Sequence, residues 1–228
     1  MRRGRLYAAR GVAEISYRIR RSPRARRVRV TVDEQERVEV VLPRTAPERA
    51  AASAVRELGP WIERQQRRIA HARADLARPE GTVPYLGAEL RLVPQRGRTR
   101  VHRRGEVLLV PAGDHLPALE RWYRRAARSE VAPRLEIACQ SLGRPHAGLT
   151  IRGQRTRWAS CSSDGAMSFN WRLLLAPEPV LDYVVWHEAC HLEVRDHSAC
   201  FWALVGERCP DYREHKAWLR AYGATLVL

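Results

Sequence analysis

A chain of 228 residues, 45% hydrophobic and 29% charged, carries enough apolar material for one large domain or two small ones, and that balance excludes an unfolded chain. The formal net charge of +16, from 41 basic against 25 acidic residues, demands strongly positive surface and admits an anionic partner, a nucleotide or nucleic acid, on the arginine-rich face. Lys216 is the sole lysine, so the excess is arginine; with abundant alanine it reads in part as coding bias, which weakens the step from charge to nucleic acid.

In chain order, Met1-Arg2-Arg3-Gly4-Arg5-Leu6-Tyr7 is basic but precedes no apolar run, so no secretory signal is expected. Val28 to Val32 and Val38 to Leu42 alternate around Asp33-Glu34-Gln35-Glu36-Arg37, the pattern of an antiparallel hairpin. Pro47 opens a helical stretch to about Ala74. Strand-like runs come next at Tyr85 to Leu86, Leu90 to Val93 and Val107 to Val110, with Arg96 to Arg104 as a basic loop. Pro111-Ala112-Gly113-Asp114 punctuates the chain before a long helix over Leu116 to Leu142, and a soft boundary near residue 115 divides a basic, strand-rich portion with one helix (1–115) from the rest (116–228).

Leu149 to Arg155 and Ala166 to Trp171 read as a second hairpin, joined through Ser160-Cys161-Ser162-Ser163-Asp164-Gly165. Pro177-Glu178-Pro179 starts a helix; Ser198 suits the cap of another running to about Arg208. Pro210-Asp211 begins a third, with Asp211 and Glu214 spaced as a capping box and Gly223 suited to its end. No internal repeat is evident. No stretch approaches the roughly eighteen apolar residues of a membrane span, and the five cysteines lack any C-x-x-C pair; the expectation is a soluble, cytoplasmic protein with reduced thiols.

The chemistry is concentrated in His187-Glu188-Ala189-Cys190-His191, an H-E-x-x-H pentad. Four residues advance a helix by about 400°, which stacks both imidazoles on one face where they can ligate one zinc ion. Glu188 then reaches the water that the metal activates and takes its proton as it attacks a carbonyl. Val180, Leu181, Val184, Val185 and Leu192 form an apolar stripe that buries such a helix and leaves the histidine face toward a cleft. Cys190 points off that face and reads as a small core residue.

An open coordination position for water requires a third protein ligand. His197 is the choice, provided the helix ends near Val194 to Arg195, since six residues of unbroken helix would turn it about 240° from His191. Glu193, Glu207 and Glu214 are the alternatives. Tyr183, one turn before His187, lines the cleft or packs in the core.

Taken together, Arg157-Trp158-Ala159-Ser160-Cys161-Ser162, Asn170-Trp171-Arg172-Leu173, Pro179 through Leu192, His197-Ser198 and Phe201-Trp202 resemble the YgjP-like metallopeptidase domain, related to the SprT-like and WLM zinc peptidases. Ala159 stands where that family usually has glycine. The resemblance implies zinc, one ion per chain, on His187, His191 and His197, a catalytic Glu188, and a peptide or protein substrate. It further implies an α+β fold whose second half is a minimal zincin-like core of helix, β-hairpin, H-E-x-x-H helix and two helices. An edge strand beside the metal helix would pair with an extended peptide, with Arg152, Arg155 and Arg157 in its neighbourhood. Two further readings stay open: hydrolysis of a nucleotide phosphoanhydride at the same metal, and a nucleic-acid-associated protease or binding protein.

Overall fold

Alternating apolar and polar residues run through the strands at Ile15–Ser22 and Arg29–Val32. In the computed structural model, which describes residues 6–9, 15–154 and 157–228, β1 (Leu6–Ala9) pairs antiparallel with β2 (Ile15–Ser22). Strand β2 runs parallel to β4 (Val38–Pro43), and β3 (Arg29–Val32) completes the expected hairpin with β4. Asp33 closes that hairpin by accepting backbone N–H groups of Gln35 and Arg37, each at 2.9 Å. Tyr17, Val30, Val38, Val40 and Leu42 point to one face and pack with Ala51, Val55 and Ile62 of two helices. These are α1 (Arg49–Glu57) and α2 (Gly59–Asp75), where the sequence predicts one continuous stretch. The break falls at Leu58 because Pro60 offers no N–H and its ring opposes the carbonyl four residues earlier.

The next strands repeat this plan. β5 (Thr82–Tyr85) pairs antiparallel with β6 (Ala88–Gln95), β6 runs parallel to β8 (Val107–Pro111), and β7 (His102–Arg104) pairs antiparallel with β8. The two four-stranded sheets thus have the same order and the same directions, a repeat of pairing that residue identities do not display. Strand β7 lies within the stretch expected to be a basic loop. All three of its side chains are exposed, so no apolar alternation marks it.

Helix α3 (Leu116–Leu142) comes next, then β9 (Gly148–Arg152), β10 (Ala159–Cys161), β11 (Ala166–Asn170), α4 (Glu178–Cys190), α5 (Ala199–Arg208) and α6 (Tyr212–Tyr222). The predicted hairpin of Leu149–Arg155 with Ala166–Trp171 is not formed: β9 lies parallel to β11, and the hairpin is β10 with β11. Alternation locates a strand but carries no information about its partner's direction.

The chain divides into compact units between Ala77 and Arg78, not near residue 115. Residues 78–115 are tied to the helices and strands that come after them in the chain. The Tyr123 hydroxyl of α3 donates to the Pro84 carbonyl, the Leu86 N–H donates to Leu174 at 2.8 Å, and the Tyr85 hydroxyl donates to Glu130 at 2.8 Å. Leu119, Tyr123, Leu135, Phe169, Trp171, Leu174 and Leu181 are fully buried in this second unit. Arg134 of α3 binds Asp182 at 2.8 Å and Glu178, both on α4, and its helix neighbour Glu130 at 2.6 Å. Gly223 ends α6 with φ of −55°, so its value is room, not a left-handed turn: a Cβ there would stand 2.8 Å from the Trp158 ring. Among the described residues no helix is long and apolar enough to cross a membrane.

Candidate metal centre

Pro177 and Pro179 fix the entry to α4, and its Val180, Leu181, Val184, Val185, Ala189 and Cys190 are buried. That packing holds His187 and Glu188 in place from below. Helix α4 stops at Cys190, earlier than the sequence predicts. His191, Leu192 and Glu193 then take three-residue turn bonds back to Glu188, Ala189 and Cys190. The chain reverses through Asp196, whose carboxylate accepts the Ser198 N–H at 3.0 Å, and this reversal returns His197 to the helix it has just left.

Three ligand atoms converge as a result. The imidazole nitrogens of His187, His191 and His197 lie within 4.8 Å of one another, and among the described residues no other such group of three exists, so Glu193, Glu207 and Glu214 stay outside it. The Nε2 atoms of His187 and His197 are 3.1 Å apart. Two nitrogens about 2.0–2.1 Å from one tetrahedral ion stand about 3.3 Å apart, so the spacing fits a shared metal. His191 is hydrogen-bonded through Nδ1 to the Val194 carbonyl at 3.0 Å, which makes Nδ1 the donor and leaves Nε2 with its lone pair free. His187 Nδ1 is buried without a partner.

The electrostatics favour the neutral, ligating form. Burial, followed by the charges of His191, His197 and Lys216, holds His187 down to about 3, and burial also lowers His191. Beneath the three rings lies Phe201, itself fully buried, with centroid distances of 5.0, 4.3 and 4.9 Å to His187, His191 and His197. Trp202 flanks His187 and His197 at 5.6 and 5.7 Å.

Glu188, 6% exposed, is pushed up to about 7 by burial, against the opposing pull of the Cys161 backbone N–H and the Arg157 charge. Cys161 belongs to β10, the edge strand next to α4. Trp158, Ser160 and Ser162 turn their backbone groups toward β11, as the bonds from Asn170 N to Trp158 O and from Ser162 N to Ala166 O require. Ala159 and Cys161 therefore direct theirs outward, Cys161 toward Glu188. Asn170 pins the approach to this strand by donating to the carbonyls of Gln154 and Arg157. Arg195 ties the loop after α4 to the β10–β11 turn through Ser162 O at 2.7 Å.

Of the other residues singled out from sequence, Arg157 is exposed and acts on Glu188, whereas Arg152 sits on β9 at the opposite edge of the sheet. Arg155 lies outside the described residues. Tyr183 is 5% exposed, its ring 5.9 Å from His187, and burial raises its hydroxyl to about 12. The Cys161 N–H escapes sequence reasoning because a backbone group has no residue signature. Phe201 and Trp202, adjacent aromatics soon after His197, are the visible trace of the platform beneath the histidines.

Three convergent neutral imidazoles with a buried carboxylate one residue from the first of them can hold a metal ion and deprotonate a water beside it, the equipment of a metallohydrolase. The family model for the YgjP-like metallopeptidase domain matches residues 26–222, and the chain belongs to that family. Among solved structures, the crystal structure of the metallopeptidase zymogen of Pyrococcus abyssi abylysin is similar over part of the chain: it is 26% identical, covers 39% of this chain and 90% of its own, and has a TM-score of 0.36. No curated protein matches significantly.

Proposed function

We propose that this metallopeptidase is a zinc enzyme in which His187, His191 and His197 hold one ion and Glu188 is the general base for peptide hydrolysis. The observation that carries the reading is the convergence of the three imidazoles within 4.8 Å beside a buried Glu188. When bound, zinc polarises a water and a substrate carbonyl and lowers the pKa of the water toward about 7. The chain supplies the rest. Glu188, near neutrality and steadied by the Cys161 N–H, takes the proton of the attacking water and passes it to the leaving amine. The other outward backbone groups of β10, the N–H and carbonyl of Ala159, pair with an extended peptide and fix its direction across the histidine face. The five free cysteines suit a reducing cytoplasm.

Elemental analysis of chelator-free protein tests the metal, and cleavage of an unfolded protein tests the reaction. About one zinc per chain, reduced in His197→Ala, with cleavage abolished in Glu188→Gln, is the expected result. Zinc without proteolysis would move the reading to a phosphoanhydride substrate, detected as phosphate released from nucleoside triphosphates.

One observation favours a second, anionic partner. Between Ile15 and Val32 stand seven arginines and no acidic residue, and Arg18, Arg20, Arg21, Arg24, Arg26, Arg27 and Arg29 are all exposed. Such a surface suits a nucleic-acid backbone, whose binding would weaken steeply with salt and lose slope in an Arg24, Arg26, Arg27→Gln variant.

A further inference from the structure

Forty of the forty-one basic side chains are arginine, and the exception, Lys216, sits on Trp202, whose ring flanks the metal centre. Lysine and arginine differ in what they can do: arginine spreads its charge over a planar fork, whereas lysine delivers a compact charge with three donors at the end of a flexible stem. In a chain that uses arginine at every other basic position, the single lysine marks a place where that difference counts.

Its surroundings are specific. Lys216 lies on α6, and its Nζ is 3.8 Å from the centre of the Trp202 ring, well within cation–π range. That same ring flanks His187 and His197, at 5.6 and 5.7 Å. Tyr212, one turn earlier on α6, stacks on Trp202 at 5.3 Å and steadies the platform. Among the described residues no carboxylate pairs with Lys216, so its donors are not already engaged in a salt bridge. Lys216 is an exposed residue whose ammonium rests on the Trp202 ring.

Other candidates for an electrophile are less well placed. Tyr183 is buried, and His215 faces the Tyr183 ring at 6.4 Å instead of the histidine cluster.

We propose that Lys216 is a second electrophile of peptide hydrolysis beside the metal: its ammonium group, seated on Trp202, whose ring flanks His187 and His197, donates a hydrogen bond to the carbonyl oxygen of the scissile peptide as that oxygen becomes an anion. In this step the water oxygen bonds to the carbonyl carbon, the π pair moves onto the carbonyl oxygen, and the water proton passes to Glu188. When the C–N bond breaks, the pair returns to re-form the carbonyl and the proton leaves on the amine. Lys216 keeps its own protons throughout and acts only by charge and donation.

This inference rests on the peptidase reading above, and its test separates the two. Wild type, Glu188→Gln, Lys216→Met and Lys216→Arg are compared for zinc content, for kcat and KM on a peptide, and for calorimetric binding of a peptide phosphonate that mimics the tetrahedral anion. Lys216→Met is expected to keep full zinc, to lose roughly 10²–10³ in kcat with little change in KM, and to bind the phosphonate on the order of 10²-fold more weakly, the cost of one oxyanion donor. Lys216→Arg, which keeps the charge but not its shape, recovers part of both. If wild type cleaves and Glu188→Gln does not, yet Lys216→Met retains kcat and phosphonate affinity, the role of Lys216 is overturned while the peptidase reading stands. Loss of zinc in Lys216→Met also overturns it, since the lysine would then support the metal seat. Absence of cleavage by wild type removes the peptidase reading and this one with it.

Discussion

Replacing Glu188 by glutamine should stabilise the metal-free protein, by an amount that depends on pH in a defined way. The carboxyl is 6% exposed and its affinity for a proton is raised from 4.5 to about 7 by burial. An acid whose folded pKa lies above its unfolded value contributes stability below the unfolded value and loses it as the pH rises through the folded one. Between about pH 4.5 and pH 7 the folded protein must either hold a proton the unfolded chain has released or bury a charge. At about 1.4 kcal/mol per unit, the accumulated penalty above neutrality is about 3 kcal/mol. Glutamine keeps the shape and still accepts the Cys161 N–H, so the pH-dependent part of the difference isolates the charge. Urea unfolding of both chelated proteins at several values between about pH 5 and pH 9 measures it. Glu188→Gln should differ least from wild type at the acid end and exceed it increasingly up to neutrality, with a plateau beyond. A difference that stays constant over that range, or a wild type that is the more stable protein at alkaline pH, would refute the burial argument.

Three other substitutions probe the frame around the site. Arg134→Met removes the cation that pairs with Glu130, Glu178 and Asp182, with the arginine side chain only 21% exposed, and should cost about 2–4 kcal/mol in chemical unfolding, with part recovered by adding Asp182→Asn. Gly223→Ala places a methyl 2.8 Å from the Trp158 ring and should lower stability by about 1–3 kcal/mol, seen as a drop in Tm, because rigid aromatic atoms must yield. Ala159→Pro deletes an outward N–H of β10 without touching the bonds to β11; KM for a peptide should rise about tenfold or more with zinc content unchanged, and an unaltered KM would argue against strand pairing by the substrate.

The parts of this molecule legible in its sequence are those in which side-chain spacing itself decides the outcome. The β3–β4 hairpin and helix α3 arise from periods of two and of three to four, and the pentad of His187 to His191 declares its face through helix geometry alone. What escapes depends on partners. Whether β11 lies parallel to β9 is settled by the long excursion between them, not by alternation in either strand. Pro60 is visible in the sequence, yet its effect, a break at Leu58, is backbone sterics overriding a continuous apolar stripe. His197 stands out by its spacing as a ligand candidate, but the end of α4 at Cys190 and the Asp196 turn that delivers it depend on hydrogen bonds no residue pattern encodes. Lys216 is a compositional oddity in the sequence, and only the packing of α6 beside Trp202 gives it chemical meaning.

The repeated sheet plan bears on how the chain acquires its structure. In each copy the second strand is completed by a parallel neighbour that arrives last: β4, ending at Pro43, for β2, and β8, ending at Pro111, for β6. Until then β2 presents an open edge that a strand of either copy could occupy. During synthesis at about 5–20 residues per second, β4 emerges several seconds ahead of β8, so the first sheet closes before its competitor exists. Chain released whole from denaturant has no such schedule, and the open edge of β2 and the strand β8 are then present together. Vectorial synthesis thus separates in time two pairings built on one plan.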